Sequence, residues 1–176
     1  MGDPRNPARL YDEWSAHRVE IMDLEIQTFL TPVGALSGGW AWHYMSPSHK
    51  EYKLLHDHKD IDLFVAPYEA PKYISDLKRM GYEKISTIYD NPSGQFVRFE
   101  KYEDNVKIII DLFIEDVPTV VVYNAIRVVK PEVLLSFYDM KKHTTDDCMA
   151  VIAARKLIAQ NIDPIGREEL CQFKDK

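Results

Sequence analysis

Cysteine is nearly missing from this chain: Cys148 and Cys171 are its two thiols. They are too few for a disulfide framework and too unclustered for a structural zinc site, which predicts a reduced, cytoplasmic protein. No run approaches the apolar length needed to span a bilayer, so no membrane partner is expected. The opening Met-Gly-Asp-Pro-Arg-Asn-Pro lacks the apolar core of a signal peptide, and no leader is expected there. No repeat-length period is visible, which excludes solenoids and propellers. Positive charge is also short: 22 Lys and Arg stand against 28 Asp and Glu, a formal net charge of −6. That sign argues against broad, sequence-independent binding of nucleic acid, though not against a local basic groove. What is present is 176 residues, 45% of them hydrophobic. This suffices for one domain with a real core, or one domain plus a small helical appendage.

The chain is organised around Leu36 to Val65. Asp60 and Asp62 flank one apolar residue and run into Leu63, Phe64 and Val65, a β-prone run that reads as a buried strand. Side chains two apart on a strand share a face, so two carboxylates stand side by side and repel. A divalent cation between them keeps both ionised, and Mg²⁺ prefers such hard oxygens. The competing reading is a solvated pair on a strand edge. Upstream, Ser37-Gly38-Gly39 ends a short apolar run and leads into Trp40, Ala41, Trp42 and Tyr44, which look helical. Glycines between a strand and a helix let backbone N–H groups approach a phosphate. The bland alternative is a plain strand-to-helix turn. Together, a glycine turn and a carboxylate pair make one site for a nucleoside triphosphate.

Lys107 to Glu115 is a strongly β-branched run with Asp111 in its middle. A buried carboxylate needs a partner. Either it joins Asp60 and Asp62 at a metal, or it lies at a strand end or pairs with a lysine or arginine. Glu115 shares its face if the strand continues, and could then be a general base for an acceptor hydroxyl. Asp116 is the neighbouring candidate. A solvated strand end is the other reading for both.

Gly-Gly-Trp, His-Lys-Asp-Ile-Asp-Leu, a helix ending at Gly81-Tyr82 and a strand with Asp111 follow one another in that order. The sequence here resembles the polymerase-β-type nucleotidyltransferase superfamily, and within it the small lincosamide and aminoglycoside nucleotidyltransferases. The matched region runs from about Leu36 to Glu115. The family often has Gly-Ser where this chain has Gly38-Gly39, and an arginine where it has Lys59. The resemblance implies an α/β fold (α+β) with a small mixed sheet, helices packed on one side and a helical C-terminal part. It divides the chain into a catalytic domain with its N-terminal helix over 1–125 and a helical part over 126–176, expected to pack on the same domain. It implies metal-dependent transfer of a nucleoside monophosphate from an NTP to an acceptor hydroxyl. Two Mg²⁺ ions, or Mn²⁺, would be held by Asp60, Asp62 and Asp111. Ser37 and the backbone of Gly38 and Gly39, with His58, Lys59 and Lys142 (or Lys141), would face the triphosphate. The acceptor it implies is a small molecule such as an aminoglycoside or lincosamide antibiotic. The alternatives are RNA, tRNA or a protein, as in nucleotidyltransferase toxins, or a non-catalytic relative that binds nucleotide or a partner. A homodimer is compatible with the family.

Asn6-Pro7 reads as a helix start, and Leu10, Trp14, His17, Ile21 and Leu24 as one apolar stripe ending near Leu30. Met45 to Lys53 reads as a polar connector, with His49, His56 and His58 clustered around it. Pro71 to Met80 reads as a helix stopped by Gly81, with Ile74, Leu77 and Met80 toward the sheet. Tyr82–Tyr89 and Gln95–Tyr102 read as strands, with a tight turn at Glu103-Asp104-Asn105 before the Asp111 strand. Arg98 alternates with Val97 and Phe99 and so faces away from them; a contact to the nucleotide or acceptor is one reading, and a surface salt bridge is the favoured one. Thr119–Val122 and Ile126–Val129 read as edge strands or linkers beyond the catalytic sheet, and Pro131 starts a helix. Helices at Thr144–Asn161 and Ile165–Phe173 complete the reading.

Overall fold

The computed structural model describes residues 2–3, 6–10, 16–30, 34–45, 59–90, 92–118, 120–123 and 126–140. Its first elements depart from the expected N-terminal helix. Asn6–Leu10 (β2) is a strand paired antiparallel with Gly2–Asp3 (β1). Asp3 and Asn6 each precede a proline, and a residue in that position is pushed away from the helical region toward extended backbone. The helix α1 begins at Ala16, runs to Glu25 and continues as a wider π-helical turn over Ile26–Leu30. Its inward stripe is Val19, Met22 and Ile26. Leu24, expected on that stripe, is exposed, and His17 lies at the surface, 3.2 Å from Asp104.

The β-branched runs pair into one mixed sheet of seven strands. In chain order these are β3 (Ala35–Ser37), β4 (Ile61–Val65), β5 (Glu83–Ile85), β6 (Phe96–Glu103), β7 (Val106–Ile114), β8 (Val120–Tyr123) and β9 (Ile126–Val129). Across the sheet they lie in the order β5-β6-β7-β4-β3-β9-β8. The helix α2 (Gly38–Met45) follows β3, α3 (Ala70–Arg79) follows β4, and α4 (Pro131–Met140) follows β9. No helix among the described residues is long and apolar enough to cross a membrane.

Three features of this topology place the site. β4 lies parallel to β7, with the crossover made by α3, β5 and β6, and its register sets Asp62 beside Asp111. β3 runs antiparallel to β4, with Ser37 opposite Asp62. β9 pairs parallel with β3, so Ile126–Val129 is a strand within the sheet that carries the acids, not an edge or linker beyond it. Its buried Ile126, Val128 and Val129 close the flank of β3 that would otherwise be open.

Strand alternation sorts the side chains onto two faces. Ile61, Leu63 and Val65 point one way with Ile108, Ile110 and Leu112, and all are buried in the main core with Met22 and Ile26. On that face Lys101 meets Glu25 of α1 at 2.6 Å, Tyr82 donates to the same carboxylate oxygen at 2.7 Å, and Lys101 lies over the Tyr82 ring. The opposite face carries Asp62, Asp111 and Arg98, and one rung further along Phe64, Phe113 and Phe96. Those three rings stack in a row, and α4 lays Phe137 against Phe64 at its end.

Candidate active site

The site begins with the turn out of β3. Gly38 has φ +62 at the start of α2. That left-handed conformation costs an L-residue its Cβ clearance. The space matters as well: a Cβ on Gly38 would stand 2.0 Å from Oδ2 of Asp62. Glycine is thus required twice, once by the backbone and once because the Asp62 carboxylate fills the space a side chain would take. The glycine turn and the acid pair, far apart in sequence, are in contact. Buried Ser37 ends β3 opposite Asp62, and Gly39 is buried in the first turn of α2. Trp40, His43 and Tyr44 pack together behind it and fix α2 against the sheet.

Asp60 precedes β4 by one residue and Asp62 is its second. Asp111 stands in mid-strand on β7. One ligand oxygen from each of the three acids lies within 4.8 Å of the others. The chemistry of this donor set fits a hard divalent cation: three carboxylates converge, and among the described residues no sulfur or imidazole joins them. The burial of Asp111 pushes its carboxyl above the usual carboxylate range, and the Arg98 guanidinium pulls against that shift.

Arg98 departs from the favoured expectation. It is not in a surface salt bridge. It stands directly opposite Asp111 in the β6–β7 hairpin, and its Nε and Nη2 donate to the two Asp111 oxygens, each at 2.6 Å. Nη2 also reaches Oδ2 of Asp60 at 3.4 Å. The Asp111 carboxylate in turn holds the guanidinium above its ordinary value. The two readings left open for Asp111 therefore hold together: it joins the acid cluster and it pairs with an arginine. Arg18 of α1, which the sequence reading passed over, donates to the backbone oxygens of Lys59 at 2.7 Å and Lys107 at 3.1 Å. It ties the approach to β4 to the start of β7, the two segments that carry the acids. Lys59 sets its ammonium 3.8 Å from its neighbour Asp60.

The structure thus brings Ser37, Gly38, Gly39, Lys59, Asp60, Asp62 and Asp111 to one place. Glu115 stands apart. The strand ends at Ile114, and Glu115 is exposed beyond it, its N–H bonded to the Val65 carbonyl. Four residues of extended chain separate it from Asp111, about 13 Å at the rise of a strand. His58, Lys141 and Lys142 lie outside the described residues, as do His49 and His56.

No family model and no curated protein sequence matches the chain. Solved structures do. The lincosamide antibiotic adenylyltransferase LnuA, in its lincomycin-bound structure, superposes with a TM-score of 0.52 at 17% identity, over 81% of this chain and 98% of that one. The aminoglycoside enzyme ANT(2")-Ia, in complex with adenylyl-2"-tobramycin, gives a TM-score of 0.49 at 9% identity, over 92% and 100% of the two chains. The LnuA likeness identifies the architecture: the chain has a nucleotidyltransferase-like fold.

Proposed function

We propose that this protein transfers a nucleoside monophosphate from a nucleoside triphosphate to an acceptor hydroxyl, releasing pyrophosphate. The observation that carries the reading is the convergence of Asp60, Asp62 and Asp111 beside the Gly38 turn. In this reading Asp60 and Asp62 would hold two divalent cations, Mg²⁺ or Mn²⁺, with Asp111 as the third carboxylate of the set. Bound there, such ions neutralise the triphosphate and lower the pKa of the acceptor hydroxyl. The chain's own contribution is orientation. Ser37 and the amides of Gly38 and Gly39 face the phosphates, and the β4–β7 register fixes the spacing of the acids. Arg18 holds the backbone on which Asp60 stands. Positioning and charge neutralisation are the terms that dominate phosphoryl chemistry.

The acceptor we put first is a small hydroxylated molecule of the lincosamide or aminoglycoside type. The LnuA likeness, which spans nearly all of that chain, supports testing a lincosamide before other acceptors. RNA or a protein hydroxyl is the second choice, and the net charge of −6 disfavours a broad nucleic-acid surface. The non-catalytic alternative is opposed by Asp111. Arg98 gives Asp111 a structural partner, but a chain without metal chemistry has no use for two further carboxylates whose oxygens converge on it within 4.8 Å.

The test is incubation with each labelled nucleoside triphosphate and Mg²⁺, alongside lincosamides, aminoglycosides and total tRNA in separate reactions. Label transfer that disappears in both Asp60→Ala and Asp111→Ala is the expected result. Transfer that survives either substitution refutes the assignment of the site. Nucleotide binding without transfer to any acceptor favours the binding-module reading.

A further inference from the structure

Arg98 engages two of the three acids at once. Both oxygens of Asp111 accept from it at 2.6 Å, a side-on fork that matches the planar guanidinium to the carboxylate. Its Nη2 lies a further 3.4 Å from Asp60. Lys59 adds a second positive group 3.8 Å from Asp60, and Arg18 a third whose charge acts on the same carboxylate. Asp60 thus feels three cationic side chains and Asp111 is held by one of them. A divalent cation entering the cluster must share Asp111's oxygens with a guanidinium of like charge, in a half-buried setting where that repulsion is weakly screened.

From this geometry, and resting on the metal-centre reading above, we propose that Arg98 is a positioning residue that stands in for a divalent cation. It holds Asp111 and Asp60 in place while the centre is empty of metal. Loading a cation at Asp111 then requires Arg98 to give up one arm of its fork. The bare protein consequently holds its cation weakly. A nucleoside triphosphate, whose negative charge offsets that of the entering ion, strengthens the binding. A purely structural salt bridge makes the opposite demand: its removal loosens the acids and weakens metal binding.

The experiment is a Mn²⁺ titration of the full chain without nucleotide, followed by electron paramagnetic resonance, with melting temperatures in EDTA and in saturating Mn²⁺. Arg98→Gln is expected to tighten Mn²⁺ binding by about tenfold or more, because it removes a positive charge that occupies the Asp111 oxygens the ion would take. It should also melt lower in EDTA and gain more on adding Mn²⁺ than the wild type does. Arg98→Lys keeps the charge but loses the fork. It should stay closer to wild type in EDTA and still bind Mn²⁺ more tightly, by a smaller factor; this variant decides the matter if Arg98→Gln does not fold. Mn²⁺ binding that is unchanged or weaker in both variants overturns the role given to Arg98 and leaves the metal centre standing. If the Asp60→Ala, Asp62→Ala double variant binds Mn²⁺ as the wild type does, the metal-centre reading itself falls. The same holds if wild type and Arg98→Gln alike take up none, and this inference falls with it.

Discussion

Replacing Gly38 by alanine asks whether the glycine turn and the metal-site acids are one structure. The left-handed backbone at φ +62 costs alanine about 1–2 kcal/mol. The added methyl would also fall 2.0 Å from Asp62 Oδ2 and 3.0 Å from its Cγ, where ordinary contact begins at 3.4 Å. Asp62 must then withdraw by more than an ångström, leaving its rotamer at a cost of about 0.5–1.5 kcal/mol. The sum is about 1.5–3.5 kcal/mol. Gly81 supplies the control. It caps α3 at φ +89, and nothing lies within 4 Å of where its Cβ would be. Gly81→Ala therefore carries the backbone cost alone, about 1–2 kcal/mol. Urea unfolding of both variants should leave Gly38→Ala the less stable by about 1 kcal/mol. The larger difference should be functional: Gly38→Ala should lose Mn²⁺ affinity and about a hundredfold in transfer rate, since ångström-scale misplacement of a site group costs that much. Gly81→Ala should keep both. Adding Asp62→Ala should cost less stability in the Gly38→Ala background than in the wild type, because it removes the clash. Equal stability losses in the two glycine variants, with Mn²⁺ binding intact in Gly38→Ala, would refute the seating of Asp62 against the turn.

Two further predictions concern the face turned away from the site. Lys101→Met should destabilise the chain by about 3–5 kcal/mol, since it strands Glu25 without its buried ionic partner; equilibrium unfolding reads this, and a loss under 1 kcal/mol would show the pair to be solvated. Tyr73 is buried, and its hydroxyl has no hydrogen-bond partner among the described residues. Tyr73→Phe should therefore gain about 1 kcal/mol at neutral pH. Burial and nearby Asp76 hold the Tyr73 phenol above its ordinary value, so it stays neutral in the folded state at a pH where the unfolded chain ionises. Stability is then fully present below about pH 10 and falls as pH rises toward the folded value. The advantage of Tyr73→Phe should widen above pH 10, by up to about 1.4 kcal/mol per pH unit; unfolding curves at pH 7 and pH 11 with the same offset would contradict the assignment.

The acids were legible because each broke a local rule. Asp60 and Asp62 interrupt the entry to an apolar strand, Asp111 the middle of one, and alternation alone puts Asp62 and its neighbour two residues back on a common face. Arg98 broke no rule. An arginine between Val97 and Phe99 is what any half-exposed strand shows, and its importance comes from pairing. Even so, the information was present. The expected turn, with Asp104 and Asn105 both at positive φ, pairs Glu103 with Val106, and five residues along each strand it pairs Arg98 with Asp111. Carrying the register through would have placed the guanidinium on the acid. Arg18 offered no such route, because its contacts are to the backbone oxygens of Lys59 and Lys107, and no sequence pattern encodes where a helix lies on a sheet. The N-terminal segment failed for a further reason: Asn6-Pro7 was read as a helix start, where proline is common, but proline also suits an extended segment, and Asn6–Leu10 pairs with Gly2–Asp3 as a strand. What sequence periodicity captured were the demands each segment makes on its own. What it missed were the demands made between segments, and the site is built from those. Gly38 is glycine because of Asp62, Asp111 tolerates burial because of Arg98, and Asp60 holds its place because Arg18 grips the residue before it.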